Sequence, residues 1–150
     1  MNVLDVARYF INHSTPNSQN SITHLKLQKL TYFAHAWYLA VVGEPLVTDD
    51  EPEAWVHGPV FPKLYYRYRH YGFKEIVEER VAINFPKNVE IILEAVWNYY
   101  GDKTGKQLEV LSHQEMPWIK AREHLGKHDY CQTPINPEDI KKFYRETILF

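Results

Sequence analysis

The stretch THLKLQKLTYFAHAWYLAVVG, residues 23–43, decides the fold of this chain. Its apolar residues recur at the three- and four-residue spacing of one helical face, namely Leu27, Leu30, Ala34, Trp37 and Val41. A second apolar face consists of Leu25, Tyr32, Ala36 and Leu39. A helix that is apolar around most of its circumference is buried by other elements. The stretch therefore predicts a central buried helix, with Thr23 as its N-cap and a left-handed Gly43 at its end.

The remaining segments predict a mainly α-helical fold. Apolar periodicity, proline positions and capping residues indicate helices over residues 2–13, 62–71, 86–101 and 104–111, another beginning at Pro117 and a last one beginning at Pro137. A small β-hairpin is expected from Leu46–Val47 and Ala54–Val56, with a sharp turn at Gly58-Pro59 and a weak strand over residues 74–81. With 150 residues, the chain is expected to form a single compact domain, residues 1–150.

Composition and charge narrow the classes of protein to consider. The formal net charge is −2 and there is no long basic tract, which argues against nucleic acid as the main partner. The one cysteine, Cys131, has no partner for an internal disulfide, so we expect a reducing, cytoplasmic location. We expect no signal peptide, and no membrane span in the interrupted apolar stretch of residues 30–42.

No pattern of residues predicts a catalytic, cofactor-binding or metal-binding site. Among eight histidines, His124 and His128 have the spacing of a helical metal pair, but Gly126 interrupts them. There is no glycine-rich phosphate loop and no serine in a nucleophile elbow. An enzyme that uses His57 or His35 remains an alternative, and it requires an acid or a nucleophile within hydrogen-bond reach of the imidazole.

Polar residues interrupt the apolar surface of the central helix. Gln28, Tyr32 and His35 fall on one side of it at four- and three-residue steps. In one interpretation Gln28 and His35 are hydrogen-bonded polar groups of the core, while Lys26 and Lys29 are solvated. In the other interpretation these residues form a polar strip that is available to a partner.

Two long motifs resemble the Panacea domain, also called the SocA-like or phage-associated GepA-like antitoxin domain. The first is LKLQKLTYFA, residues 25–34, which continues with Trp37 and GEPL, residues 43–46. The second is EAWVHGPV, residues 53–60, which is followed by Leu64-Tyr65. Later residues that fit are Leu108, Leu111, Pro117-Trp118, Ala121-Arg122 and Tyr144. The resemblance extends over essentially the whole chain, and the order and spacing of the two motifs make it specific.

The resemblance implies a mainly α-helical antitoxin of a type II-like toxin–antitoxin module. Such a protein neutralises a cognate toxin, encoded nearby, by direct binding in the manner of a chaperone or an inhibitor. One member delivers its toxin to a AAA+ protease, so a role as proteolytic adaptor is a further expectation. The alternatives are a small cytoplasmic enzyme and a DNA-binding regulator of phage or mobile-element origin. Neither the toxin nor the oligomeric state follows from the sequence.

We expect the partner surface to lie on or beside residues 55–59. In the following helix, Tyr65 and Tyr68 share one side and Tyr66 lies off it, so an exposed subset of these rings is expected to bind the partner. The family-signature and partner-surface candidates are Lys26, Gln28, Lys29, Tyr32, Trp37, Glu53, Trp55, His57, Gly58, Pro59, Tyr65, Tyr66 and Tyr68. The four candidates from Lys26 to Tyr32 are expected to fix the turn at residues 55–59 in place.

Overall fold

In a computed structural model, which describes residues 1–148, the chain is mainly α-helical with one small β-hairpin, as the sequence predicts. The helices are α1 (Val3–His13), α2 (His24–Val42), α3 (Pro62–Tyr68), α4 (Lys87–Tyr100), α5 (Gly105–His113), α6 (Met116–Ala121) and α7 (Pro137–Ile148). The hairpin pairs β1 (Glu53–Trp55) with β2 (Gly58–Val60), and a 3₁₀ turn (Arg69–Tyr71) follows α3. No helix in residues 1–148 has the length and apolar character needed to cross a membrane.

Helix α2 forms the centre of the fold, and α1, α4, α5 and α7 all pack against it. The Thr23 side chain caps its start by accepting a hydrogen bond from the Lys26 N–H at 3.3 Å. Gly43 ends it in the left-handed conformation with φ +90°. The predicted apolar face is wrong at Val41, whose surface is 53% exposed, because the last turn of α2 emerges from the core.

The observed hairpin differs from the predicted one. Residues 46–47 lie in a buried loop outside any strand, and β1 pairs with β2 instead, with Trp55 opposite Gly58. The turn is therefore formed by residues 56–57, while Gly58 and Pro59 belong to β2. Gly58 has φ +102°, so the glycine still supplies the bend that its presence predicted, at the first position of a strand.

The strand predicted over residues 74–81 is also absent from the described structure. This segment runs extended along α1 and the loop before α2, with an isolated bridge between Glu75 and Thr23. The Ile76 N–H donates to the Ile22 carbonyl at 2.7 Å, and Arg8 forms an ion pair with Glu78 at 2.9 Å. These single contacts hold the segment where a continuous ladder of backbone hydrogen bonds was expected.

Candidate partner-binding cleft

A cleft of about 500 Å³ opens between the hairpin, the start of α2, the end of α3, α5 and the loop that precedes α7. Trp55, Val60 and Tyr65 form apolar walls, and the rings of Trp55 and Tyr65 meet edge to face with centroids 4.9 Å apart. Two aromatic side chains stand at its border in water: Phe73 is fully exposed and Tyr130 is 76% exposed. Exposed large rings beside an apolar cleft are typical of a binding surface.

The buried Lys29 side chain connects α2 to the hairpin. It is 0% exposed, and its Nζ donates to the Pro59 carbonyl at 3.1 Å. Burial lowers its pKa to about 7, although the nearby Glu109 carboxylate favours the charged form. The interpretation of Lys29 as a solvated lysine is therefore wrong. A Cβ on Gly58 would lie 2.7 Å from Lys29 Cε and from Ser112 Oγ, so glycine leaves the space that the lysine occupies.

Gln28 holds the next part of the hairpin in the same way. Its Oε1 accepts a hydrogen bond from the Phe61 N–H at 3.1 Å, and its Nε2 lies 3.2 Å from His24 Nε2. Burial lowers the pKa of His24 to about 4, so its ring is neutral at pH 7 and can accept that hydrogen bond. Gln28 is thus a hydrogen-bonded polar group of the core, which favours the first interpretation for this residue.

Lys26 and Tyr32 contact other parts of the molecule, so the expectation that they fix the turn is wrong. Lys26 is buried and its Nζ donates to the carbonyls of Gly101, at 2.6 Å, and Gln19, at 3.1 Å. Burial lowers the pKa of Lys26 to about 8. Burial also raises the pKa of Tyr32, and the negative charge of Glu115 near the start of α6 raises it further. Lys26 therefore fixes the end of α4, and Tyr32 is buried in the core.

A charged cluster lies where α5 meets the hairpin turn. The Glu109 carboxylate is nearly buried, with Oε1 3.1 Å from His57 Nδ1 and Oε2 3.0 Å from Lys106 Nζ. Burial favours a higher pKa for Glu109, but the hydrogen bond from Lys106 and the nearby His57 outweigh it and lower the pKa. The pair of His57 and Glu109 provides the acid within reach that the enzyme alternative requires. The His57 imidazole is 74% exposed, so water competes for its hydrogen bond with Glu109.

The three tyrosines of α3 have different environments. Tyr65 lies in the cleft wall, and Tyr66 is exposed with the Arg69 guanidinium 5.1 Å from its ring centre. Tyr68 is 2% exposed and packs in the core, where Arg8 Nη2 lies 3.4 Å from its hydroxyl. Tyr68 is therefore wrong as a candidate for the partner surface, because its ring fills the space between α3 and α1.

The remaining candidates lie on both sides of the molecule. Glu53 is next to the cleft and accepts a hydrogen bond from Trp55 Nε1 at 2.8 Å. Trp37 is half-buried on another face, where its ring packs against Tyr99 and Tyr100. Among the candidates, the cleft brings together Gln28, Lys29, Trp55, His57 and Tyr65, while Lys26 and Trp37 lie apart from it.

Residues with the potential for metal or nucleophilic chemistry are dispersed. Within residues 1–148, no three side chains of His, Cys, Asp or Glu converge to hold a metal ion. Cys131 lines the cleft but is nearly buried, and its Sγ accepts a hydrogen bond from the Thr133 N–H at 3.4 Å. His35 is packed in the core, where its Nδ1 accepts from the Val47 N–H at 3.2 Å and burial lowers its pKa to about 4.

Three important residues of this region were not among the predicted candidates. Phe73 and Tyr130 lie in loops, where no periodicity marks them; a large ring in a polar loop is the only signal. The third is Arg122, whose buried guanidinium donates to the carbonyls of Ala54, at 2.8 Å, and Asp129, at 2.5 Å. It also lies 5.0 Å from the ring centre of Trp118. Arg122 therefore ties the loop that carries Tyr130 to β1.

Comparison with known proteins identifies the family to which this chain belongs. A family model described as "Antitoxin SocA-like, Panacea domain" matches residues 27–119, which include most of α2, the hairpin, and all of α5. Antitoxin SocA of Caulobacter vibrioides (strain NA1000 / CB15N) is 34% identical over 110 residues, which are 65% of this chain and 58% of that relative. No solved structure gives a significant match.

These matches place the protein among the antitoxin-domain proteins. The chain belongs to the Antitoxin SocA-like, Panacea domain family, as its two long motifs predicted. It spans 58% of the length of the curated relative.

Proposed function

We propose that this protein is an antitoxin that neutralises a cognate protein toxin by direct contact. Family membership supports the antitoxin role, and the name of the relative, Antitoxin SocA, agrees with it. The observation that carries the proposal is the apolar cleft with Phe73 and Tyr130 exposed at its border. Large aromatic side chains dominate the binding energy of many protein interfaces, and they are costly to leave in water without a partner.

The cleft is also pre-organised, because buried side chains hold the backbone of its walls in place. Its hairpin wall is fixed from behind by the buried side chains of Lys29 and Gln28, and its loop wall is fixed by Arg122. A binding surface whose backbone is already ordered loses little conformational entropy when a partner binds. This rigidity supports recognition by the cleft itself, with smaller adjustments of the exposed rings.

Growth rescue tests this proposal. The protein is expected to restore growth when it is co-expressed with a toxic product of the neighbouring gene. A variant with Phe73→Ala and Tyr130→Ala should bind that toxin about tenfold more weakly, because the loss of two large rings from the interface costs about 1.4 kcal/mol. Tyr99→Ala is the matched control, since Tyr99 is also largely exposed and lines a different groove.

The comparison of these variants has a clear contrary outcome. If the double variant rescues growth and binds the toxin as well as the Tyr99→Ala control does, that result contradicts a role for the cleft. Circular dichroism of both variants should show an unchanged helical signal, since all three rings are largely exposed.

The lifetime of the toxin distinguishes masking from delivery to a AAA+ protease. In a cell that expresses both proteins, masking leaves the toxin as long-lived as before or protects it. Delivery shortens its lifetime, and the shortening disappears when the protease is deleted. Either result is compatible with neutralisation by direct binding.

The pair of His57 and Glu109 is the observation that favours an enzyme as the second candidate. An enzyme that detoxifies its partner leaves a chemical change on it, whereas a binding antitoxin does not. The intact mass of the toxin recovered from co-expressing cells should therefore equal its mass in the absence of antitoxin. A mass change that His57→Ala abolishes would favour the enzyme instead.

A further inference from the structure

The charges around the cleft indicate the chemistry of its occupant. Three cationic or basic side chains lie on its exposed border: Arg69, Lys106 and His57. Glu109 is the one carboxylate among its lining residues, and both of its oxygens already accept hydrogen bonds from Lys106 and His57. The cleft thus has an excess of positive charge in a protein whose formal net charge is −2.

Arg69 is the most available of these cations. Its guanidinium lies over the exposed Tyr66 ring at 5.1 Å, and within residues 1–148 it forms no ion pair with a carboxylate. Beneath the border, the buried Lys29 adds positive potential close to the apolar walls at pH values below its pKa of about 7. A cationic group brought to this site would be repelled, whereas a carboxylate would be attracted.

We propose that the cleft binds a short acidic and apolar peptide segment of the toxin. An apolar side chain of that segment packs against the wall formed by Trp55, Val60 and Tyr65, and a neighbouring aspartate or glutamate lies against Arg69 and Lys106. This inference rests on the proposed function, because it takes the occupant to be part of the toxin. It adds the chemical class of the segment that the cleft recognises.

The small number of cations and the apolar walls of the cleft both favour a peptide over a nucleic acid. Proteins that follow a nucleic-acid backbone neutralise many phosphates in a row, and this cleft has few cations beside walls that are mainly apolar. An acidic residue next to an apolar one satisfies both parts of the cleft. The exposed Phe73 and Tyr130 rings then cover the flanking residues of the segment.

Charge reversal in the 150-residue chain tests the inference with the purified cognate toxin. Arg69→Glu should weaken the complex about tenfold at low salt, since it replaces an attraction by a repulsion. Lys106→Gln should weaken the complex less. The melting temperature of this variant must also be measured, because Lys106 pairs with Glu109 and its loss can lower stability. Lys87→Glu is the matched control, since Lys87 is exposed at the start of α4 and does not line the cleft.

Restoration by the toxin provides the decisive measurement. The aspartate or glutamate of the toxin that contacts Arg69 is changed to lysine. The altered toxin should then bind the Arg69→Glu variant better than it binds the unaltered chain. The weakening by Arg69→Glu should also diminish at high salt, because exposed charges are then screened.

Three results would overturn the inference. In the first, Arg69→Glu and Lys106→Gln leave the affinity for the toxin unchanged, while the Phe73 and Tyr130 double variant loses affinity. The antitoxin proposal then stands, and the inference of an acidic segment is rejected. Displacement of the toxin by an oligothymidine strand, dependent on Arg69, would make nucleic acid the occupant. If the unaltered chain forms no complex with the toxin, the proposed function fails, and this inference fails with it.

Discussion

At the scale of single residues, Gly58 is where two requirements coincide. Its φ of +102° is positive, and residues other than glycine rarely adopt such a backbone conformation. In addition, the space beside its Cα is already filled by the Lys29 side chain and the Ser112 hydroxyl. The first requirement concerns the backbone of the turn, and the second concerns the packing of the hairpin on α2 and α5. Both exclude a residue larger than glycine.

Gly58→Ala should therefore destabilise the protein by about 2 kcal/mol or more, because backbone strain and a steric clash add. The urea midpoint of unfolding measures this loss. Gly72→Ala is the control for strain alone, since Gly72 has φ +58° and nothing lies within 4 Å of the position of its Cβ. If the two substitutions cost the same free energy, the close approach of Lys29 to Gly58 contributes nothing to stability.

At the scale of elements, one side chain, Arg122, holds the first part of the loop between α6 and α7, while residues 133–135 are held by backbone hydrogen bonds to residues 52–54. Arg122 donates hydrogen bonds to carbonyls of β1 and of the loop itself, and its guanidinium packs over Trp118. A lysine has a shorter reach and no planar fork of donors, so it cannot make these bonds together. The order of the loop that carries Tyr130 is therefore expected to depend on an arginine at this position.

Arg122→Lys should increase the rate of amide hydrogen exchange in residues 123–130 while α2 stays protected, because the guanidinium no longer joins the Asp129 carbonyl to the Ala54 carbonyl of β1. Mass spectrometry of peptic fragments resolves the two regions. Arg80→Lys is the control, since Arg80 is exposed outside this loop. Unchanged exchange in residues 123–130 of the Arg122→Lys variant would show that other contacts order this loop.

At the scale of the whole molecule, the buried lysines make stability depend on pH. The pKa of Lys29 is about 7 in the folded state and 10.5 in the unfolded state. The unfolded chain therefore binds more protons between these values, and the free energy of unfolding rises with pH across this window. Lys26, with a folded-state pKa of about 8, contributes in the same direction above pH 8.

The unaltered protein should thus become more stable between pH 7 and pH 9, by at most about 1.4 kcal/mol per pH unit for each lysine. Urea denaturation at three pH values measures the slope. Lys29→Met keeps the length of the side chain and should reduce the slope, whereas Lys87→Met should leave it unchanged. A slope that is the same in all three proteins would contradict the lowered pKa of Lys29.

The sequence predicts the helical fold well because its apolar periodicity and capping residues are local signals. It does not predict the burial of the lysines, because the acceptors of Lys29 and Lys26 lie 30 and 75 positions further along the chain. The hairpin partner was missed because strands of three residues show no periodicity, and glycine with proline usually indicates a turn. In the cleft, Trp55, His57 and Tyr65 belong to a motif, whereas Phe73 and Tyr130 lie in loops without a pattern.

The buried ammonium groups of α2 have a consequence for synthesis on the ribosome. When α2 emerges from the ribosome, the carbonyls of Pro59 and Gly101 that accept from Lys29 and Lys26 have not yet emerged with it. Until then both lysines carry full charge in water, and their hydration keeps an otherwise apolar segment dissolved. The same two side chains are therefore solubilising groups in the nascent chain and internal cross-links in the finished protein.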